Sequence, residues 1–304
     1  MPAKIQDELS FSAGFFDAFL ESRIFAGIAH DTALLAASSY YLARRPGSSL
    51  VIAAREKDDP AAQGLDRLLH WVLLAKWREF ADALDPFFGP MLNDIARFLV
   101  DHFNFGAGVE ELDLALKRLR LHAYAGAAPR ELLFVDLVMA IIRLRIAASA
   151  WSTLPGFTGL SAAQWANAIQ RPEFPKELWP SQILLGQAGL FAGESGIVQM
   201  PTSAGKTRSV EIMLRSSFLA GRSRLAVVVA PFRALCHEIS TSLRHAFRKD
   251  DVKVNELSDA MQLDFLEQVA ELFGSDAPTS SYILVLTPEK LLYVLRQMPK
   301  LVND

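Results

Sequence analysis

Two short runs, Leu225-Ala-Val-Val-Val and Tyr282-Ile-Leu-Val-Leu, are apolar at every position. No other feature of the chain restricts its fold as much. A strand with one wet face alternates apolar and polar residues, whereas a strand that is apolar throughout needs cover on both faces, the condition of a parallel sheet between helices. The residues around the two runs repeat at helical spacing, so the region after residue 180 reads as an alternation. Helices are expected over 181–191, 207–219, 234–247, 261–273 and 289–295, with strands over 197–200, 225–230, 252–254 and 282–286. That order is α/β.

The first half reads differently. From residue 10 to about 170 one helical pattern follows another, broken at Asp58-Asp59-Pro60, Asp85-Pro86, Gly106 and Ala125-Gly126. Helices are expected over 31–44, 61–77, 91–103, 109–121 and 129–150, and the short apolar run 49–54 fits a helix better than a strand. Several are apolar nearly all round, which suits a bundle. The window 132–151 is the most apolar, but Asp136, Arg143 and Arg145 interrupt it, so a buried helix is expected there and no membrane span. Between the halves, R-P-E-F-P-K-E-L-W-P packs three prolines into ten residues and forbids a continuous helix. The expected organisation is an all-helical domain over 1–171, a Pro-rich linker over 172–180 and an α/β domain over 181–304.

Composition removes several function classes. With 304 residues and 51% hydrophobic content the chain can bury two cores. A formal net charge of −3, with acidic and basic residues almost balanced after residue 195, argues against a uniformly basic polyanion binder but leaves local basic patches open. One cysteine, Cys236, allows no internal disulfide, and the six histidines show no metal-ligand spacing. The N-terminus has no signal-peptide run, so the expected address is the cytoplasm.

Three stretches carry chemistry. The first is M-P-T-S-A-G-K-T, residues 200–207, between an apolar run and a helical pattern. A small-residue turn opening a helix on Gly-Lys-Thr aims backbone N–H groups and the positive helix end at one point. Lys206 adds a full charge there, and Thr207 is placed to ligate Mg²⁺. Met200 stands where a phosphate loop usually has its first glycine, and an ordinary turn is the alternative reading. The other two, A-P-F-R-A-L-C-H-E from Ala230 and T-P-E-K-L from Thr287, each follow a strand, at the end where parallel sheets bind ligands. Thr287 before Pro288 is equally a good helix N-cap, and Arg233 equally a solvated surface charge.

As an ordered set these stretches resemble the superfamily 2 nucleic-acid helicases, in particular the Ski-like branch of the DExH-box enzymes. In that family P-T-S-A-G-K-T is motif I, A-P-x-R-A-L-x-x-E is motif Ia and T-P-E-K-L is motif Ic, and motif I of this branch dispenses with the first glycine. The resemblance covers about residues 178–295. It implies a RecA-like α/β P-loop domain in which Gln182, within L-W-P-S-Q, reads adenine. The segment Thr202, Ser203, Ala204 and Gly205 would cradle phosphates, Lys206 would hold the β- and γ-phosphates, and Thr207 would ligate the Mg²⁺ of bound ATP. Pro231, Arg233, Thr287 and Lys290 would lie along the backbone of a single strand of DNA or RNA. Trp165 matches the spacing of an aromatic in DEAD-box relatives, although a core tryptophan is the simpler reading. L-S-D at 257–259 falls where the family often has Gly-Asp, with Ser258 in place of the glycine.

The family's D-E-x-H motif does not occur in residues 1–304, and the only Asp-Glu pair is Asp7-Glu8. The resemblance therefore implies an N-terminal part of a longer helicase, with the RecA-like sheet incomplete at its C-terminal side. A central strand would be left unpaired, no catalytic residue lies within this segment, and no hydrolysis is expected from it alone. The remainder of the helicase chain would then be a partner. A helical domain ahead of a Ski-like core also resembles the arrangement in some bacterial anti-phage helicases, Hachiman-type systems among them, in which a nuclease partner binds. That leaves a non-enzymatic module, docking a protein partner on its helical domain, as the alternative.

Overall fold

The computed structural model describes residues 3–22, 29–56, 64–78, 80, 85–201, 204–256 and 280–297. The chain divides into two compact units, one of Met1–Leu154 with Ala166–Ile183, the other of Pro155–Trp165 with Leu184–Asp304.

The first unit is helical: α1 (Ala3–Ser22), α2 (Ala29–Leu42), α3 (Pro46–Arg55), α4 (Leu65–Leu74), α5 (Gly89–Phe105), α6 (Val109–Gly126) and α7 (Pro129–Ala148). The run around residues 49–54 is helical because Pro46 begins α3 at its first position, where a missing N–H costs nothing. α5 stops at Gly106, whose φ of +75° suits glycine. Its N–H closes on the His102 carbonyl at 2.8 Å, and a Cβ there would meet the Trp151 ring at 2.9 Å. α7 starts under half of a capping box, the Glu131 carboxylate accepting the Ala128 N–H at 2.8 Å. A continuous core joins α2 to α7, with Leu34, Leu69, Leu92, Leu99, Phe103, Phe134 and Ile142 among its fully buried members.

Within this core sits a charged cluster. Arg145 donates to the Glu177 carboxylate and, at 3.0 Å, to the Leu73 carbonyl, and its guanidinium lies 4.3 Å over the Tyr41 ring. The Tyr41 hydroxyl also donates to Glu177, and burial pushes its pKa up, so it stays a donor. Nearby, His102 Nε2 lies 2.9 Å from Ser149 Oγ, and burial holds the imidazole down at about 4.

The helix expected over 129–150 ends earlier. Ser149 is extended and pairs antiparallel with Glu177, while the Ala150 N–H donates to Lys176 and the Leu178 N–H to Ala148. The stretch 172–180, read from sequence as a linker, therefore carries backbone hydrogen bonds to the end of α7 within the first unit. Two helices follow that pair, α8 (Ala150–Thr158), which holds Pro155, and α9 (Ala162–Ile169), and then α10 (Pro180–Gln187). The boundary between the units falls inside all three.

The second unit is α/β. It contains a short 3-10 turn at Leu190–Ala192, α11 (Lys206–Leu219), β1 (Leu225–Val229), α12 (Arg233–Phe247), β2 (Val252–Glu256), β3 (Ser281–Leu286) and α13 (Pro288–Gln297). The described sheet is parallel throughout in the order β1-β3-β2, with Val229 opposite Leu286 and Glu256 opposite Val285. Central β3 is buried along Tyr282–Leu286, as a wholly apolar run requires. β1 departs from that expectation. Ala226 and Val228 pack toward Cys236, Leu243 and Phe247 of α12, but Val227 and Val229 are exposed, because β1 forms an edge of the described sheet.

The strand expected over 197–200 is not formed. Those residues have no regular structure and Ile197 is fully exposed. An apolar run becomes a strand only when a neighbour takes up its N–H and C=O groups, and no described strand lies beside it. The helix expected over 261–273 falls outside the described residues. No described helix is long and apolar enough to cross a membrane.

Candidate functional site

The start of α11 is built to receive an anion. Gly205 is its N-cap, with φ +86° and ψ 28°, a left-handed conformation that glycine adopts without strain. Gly205 has no side chain with which to cap the first turn. The Gly205 carbonyl accepts the Ser209 N–H at 3.0 Å and the Ser209 hydroxyl at 3.1 Å, so the helix is regular from its first residue. Lys206 and Thr207 are exposed, Ala204 and Gly205 half-buried. Among the described residues Lys206 makes no ion pair, which leaves its ammonium and the positive end of the helix acting together on whatever lies in front of them. Thr202 and Ser203 fall outside the described residues.

A phosphate fits this donor set. A divalent cation fits it less completely. Thr207 offers one hydroxyl oxygen, and no group of three or more His, Cys, Asp or Glu among the described residues could hold a metal. A Mg²⁺ ion at this point would take its other ligands from phosphate oxygens and water, as that ion commonly does.

Two residues that the motif reading passed over fix α11 in place. Arg215 and Glu211, one turn apart and both nearly fully buried, pair at 3.1 Å; Arg208 holds the other oxygen of Glu211 at 2.8 Å. Arg215 also donates to Asp250 at 2.7 Å and to the Ala246 carbonyl at 2.5 Å, and stacks 4.3 Å over the Phe247 ring. α11 is thus locked to the end of α12. The signal in the sequence was the Arg208, Glu211, Arg215 spacing of three and four, which puts all three on one helix face.

The second cluster lies where β1 and β3 end. The Ala230 N–H donates to the Leu286 carbonyl at 3.0 Å, so the segments beginning at Pro231 and Thr287 leave the sheet side by side, about 4.8 Å apart at the strand spacing. Both run straight into helices, α12 from Arg233 and α13 from Pro288. Pro231, Phe232 and Arg233 are exposed, and no side chain caps α12. Thr287 is buried. Its hydroxyl bonds the Glu289 carboxylate, which, together with the backbone N–H of Glu289, holds that carboxyl below its usual range. Thr287 stands just before Pro288, the first residue of α13, and its carbonyl accepts the Leu291 N–H at 3.0 Å. Lys290 is half-buried and lies near enough to act on Cys236, whose thiol burial pushes up. At the end of β2, Glu256 accepts from the Ser240 hydroxyl at 2.8 Å, and His237 Nδ1 lies 3.2 Å from the same oxygen.

The structure thus groups Ala204, Gly205, Lys206 and Thr207 at one helix start, and Pro231, Arg233, Thr287 and Lys290 at the ends of two paired strands. Gln182 belongs to the first compact unit. It is buried, and its side-chain oxygen accepts the Trp179 N–H at 2.8 Å, capping α10. Trp165 is fully buried with its indole N–H on Thr158 Oγ1 at 3.0 Å, the arrangement of a core residue. L-S-D at 257–259 lies outside the described residues.

A family comparison bears on the same part of the chain. Residues 180–303 match the family model of the DEAD/DEAH box helicases. Over 120 residues the chain is 26% identical to the Hachiman protein HamB of Bacillus cereus, covering 40% of this chain and 10% of that protein. The match therefore spans about a tenth of the length of that relative.

Proposed function

We propose that this chain is the N-terminal portion of an ATP-dependent nucleic-acid helicase or translocase of superfamily 2, of the Ski-like DExH-box branch, acting in the cytoplasm. The observation that carries this reading is the uncapped start of α11, where exposed Lys206 and Thr207 follow a left-handed Gly205. The likeness of residues 180–303 to DEAD/DEAH box helicases supports it.

In this reading the segment Thr202–Gly205 and the first turn of α11 bind phosphate oxygens through backbone N–H groups. Lys206 neutralises the β- and γ-phosphates, and Thr207 contributes one oxygen to Mg²⁺. The metal, when bound, spreads the charge of the terminal phosphates. Pro231, Arg233, Thr287 and Lys290 line the path of a single strand of DNA or RNA, Arg233 as a charge on its phosphates and the start of α12 as their hydrogen-bond donor. Lys206→Ala should abolish binding of a fluorescent ATP analogue in the presence of Mg²⁺; binding as tight as that of the wild type would refute the assignment.

A second reading rests on a different observation. The first unit carries a groove of about 790 Å³ between α6 and α7, lined by Lys117, Arg120, Leu121, Tyr124, Met139 and Arg143. Leu121 and Tyr124 are exposed there, as is Leu133 close by on α7. Surface helices rarely present such a stripe, and a protein partner would bury it. In this alternative the helical unit is a docking module of a helicase-derived complex, in the setting of anti-phage defence, and the resemblance to HamB favours it. A stable complex with a co-encoded protein that Leu121→Asp dissolves would support docking. Purification as a clean monomer in the presence of that protein would count against it.

A further inference from the structure

The residue that the phosphate-contact reading leaves unused is Phe232. It lies between Pro231 and Arg233 at the end of β1, in an extended conformation with φ −135° and ψ 147°, and is 70% exposed. The apolar residues around it divide: Val229, Pro231 and Ala234 are exposed as well. Ala230, two residues earlier, is buried, as is Cys236 one turn into α12, and the core between α12 and the sheet is complete without the phenyl ring. The ring stands instead on the solvent side of a helix start that no side chain caps. The neighbouring Arg233 guanidinium is exposed and makes no ion pair among the described residues.

A flat apolar face set one residue from a cation and from outward-pointing N–H groups is the pairing that a single strand requires: a stacking surface for a base and a charge for the adjoining phosphate. We propose that Phe232 stacks on a nucleobase of a bound single strand, while Arg233 and the start of α12 hold the phosphate beside it. The inference rests on the nucleic-acid reading of this edge and adds to it a contact with a base. Stacking on a π-face tolerates any base, so the contact fixes the strand's position without selecting its sequence.

The test compares a fluorescein-labelled oligothymidylate with an abasic strand of equal length and charge, each titrated with the full chain. Phe232→Ala should weaken binding to the oligothymidylate about tenfold and leave the abasic strand unaffected. Phe232→Trp should restore affinity, with its indole fluorescence quenched by the oligothymidylate and not by the abasic strand. Arg233→Ala should weaken both strands alike and flatten the dependence on salt. Equal affinity of wild type and Phe232→Ala for the oligothymidylate would overturn the stacking contact alone. A wild-type chain that binds neither strand would overturn the nucleic-acid reading and the stacking contact with it.

Discussion

The two units bury charge by the same device and differ at one helix start. In the helical unit the buried charges turn toward one another: Arg145 and Tyr41 both donate to Glu177, with the guanidinium over the Tyr41 ring. The α/β unit repeats that device beneath α11 with Glu211, Arg215 and Asp250, yet at the start of the same helix it leaves Lys206 and Thr207 facing water. Position along the element separates the roles. Pairs at the middle and end of a helix secure it, and the uncapped start is left for a ligand.

That contrast yields a ranked set of expectations. The largest effect should come from Arg145→Ala. It strands Glu177 inside the first unit, where loss of one partner of a buried pair costs about 3–5 kcal/mol, read as a lowered urea midpoint of that unit. Arg145→Met combined with Glu177→Gln should recover much of the loss, and failure to do so would mean that the cluster's geometry matters more than its charge balance. Next comes Arg215→Ala, at about 3 kcal/mol, the lower end of the same range, because Glu211 keeps Arg208 and Asp250 is partly exposed. Lys206→Ala and Phe232→Ala should shift either midpoint by no more than about 0.5 kcal/mol, while the first abolishes nucleotide binding and the second weakens oligothymidylate binding about tenfold. A stability loss as large as that of Arg215→Ala would erase the distinction between securing and receiving residues.

A pH-dependent effect belongs to His102. Burial holds its imidazole at about 4, against an ordinary 6.5, so the unfolded chain takes up this proton at a higher pH than the folded one. The stability contributed by the neutral ring is fully present above about pH 6.5 and is lost as the pH falls toward about 4. His102→Gln should flatten that part of the curve in urea unfolding followed across the interval. An unchanged slope would mean that another group carries it. Smallest of all is Arg97→Ala. Its pair with Asp94 is more than half exposed on both sides and should contribute at most about 0.5 kcal/mol.

Much of this arrangement was legible in the residues. Tyr282–Leu286 announced a buried strand, Gly205-Lys206-Thr207 a helix start, and Pro288 a first helical position, because each is a local preference of the chain. What could not be read depends on partners far away in sequence. Residues 197–200 have the composition of a strand and no described strand beside them. Ser149 interrupts an otherwise helical pattern because Glu177 pairs with it. The prolines of 172–180 suggested a free connection, whereas backbone hydrogen bonds tie that stretch to Ala148 and Ala150. At the site, Lys206 and Arg233 stood out by motif, while Phe232 did not, since only its exposure separates it from an ordinary apolar residue.

The central claim is that the start of α11 is held ready for a nucleotide phosphate, and amide hydrogen exchange tests it most directly. Adding ATP and Mg²⁺ should slow exchange at the backbone amides of Ala204 through Arg208 in the wild-type chain, leave the rest of α11 unchanged, and have no effect in Lys206→Ala. Exchange at those amides that is indifferent to ATP, or protection that persists without the lysine, would contradict the account.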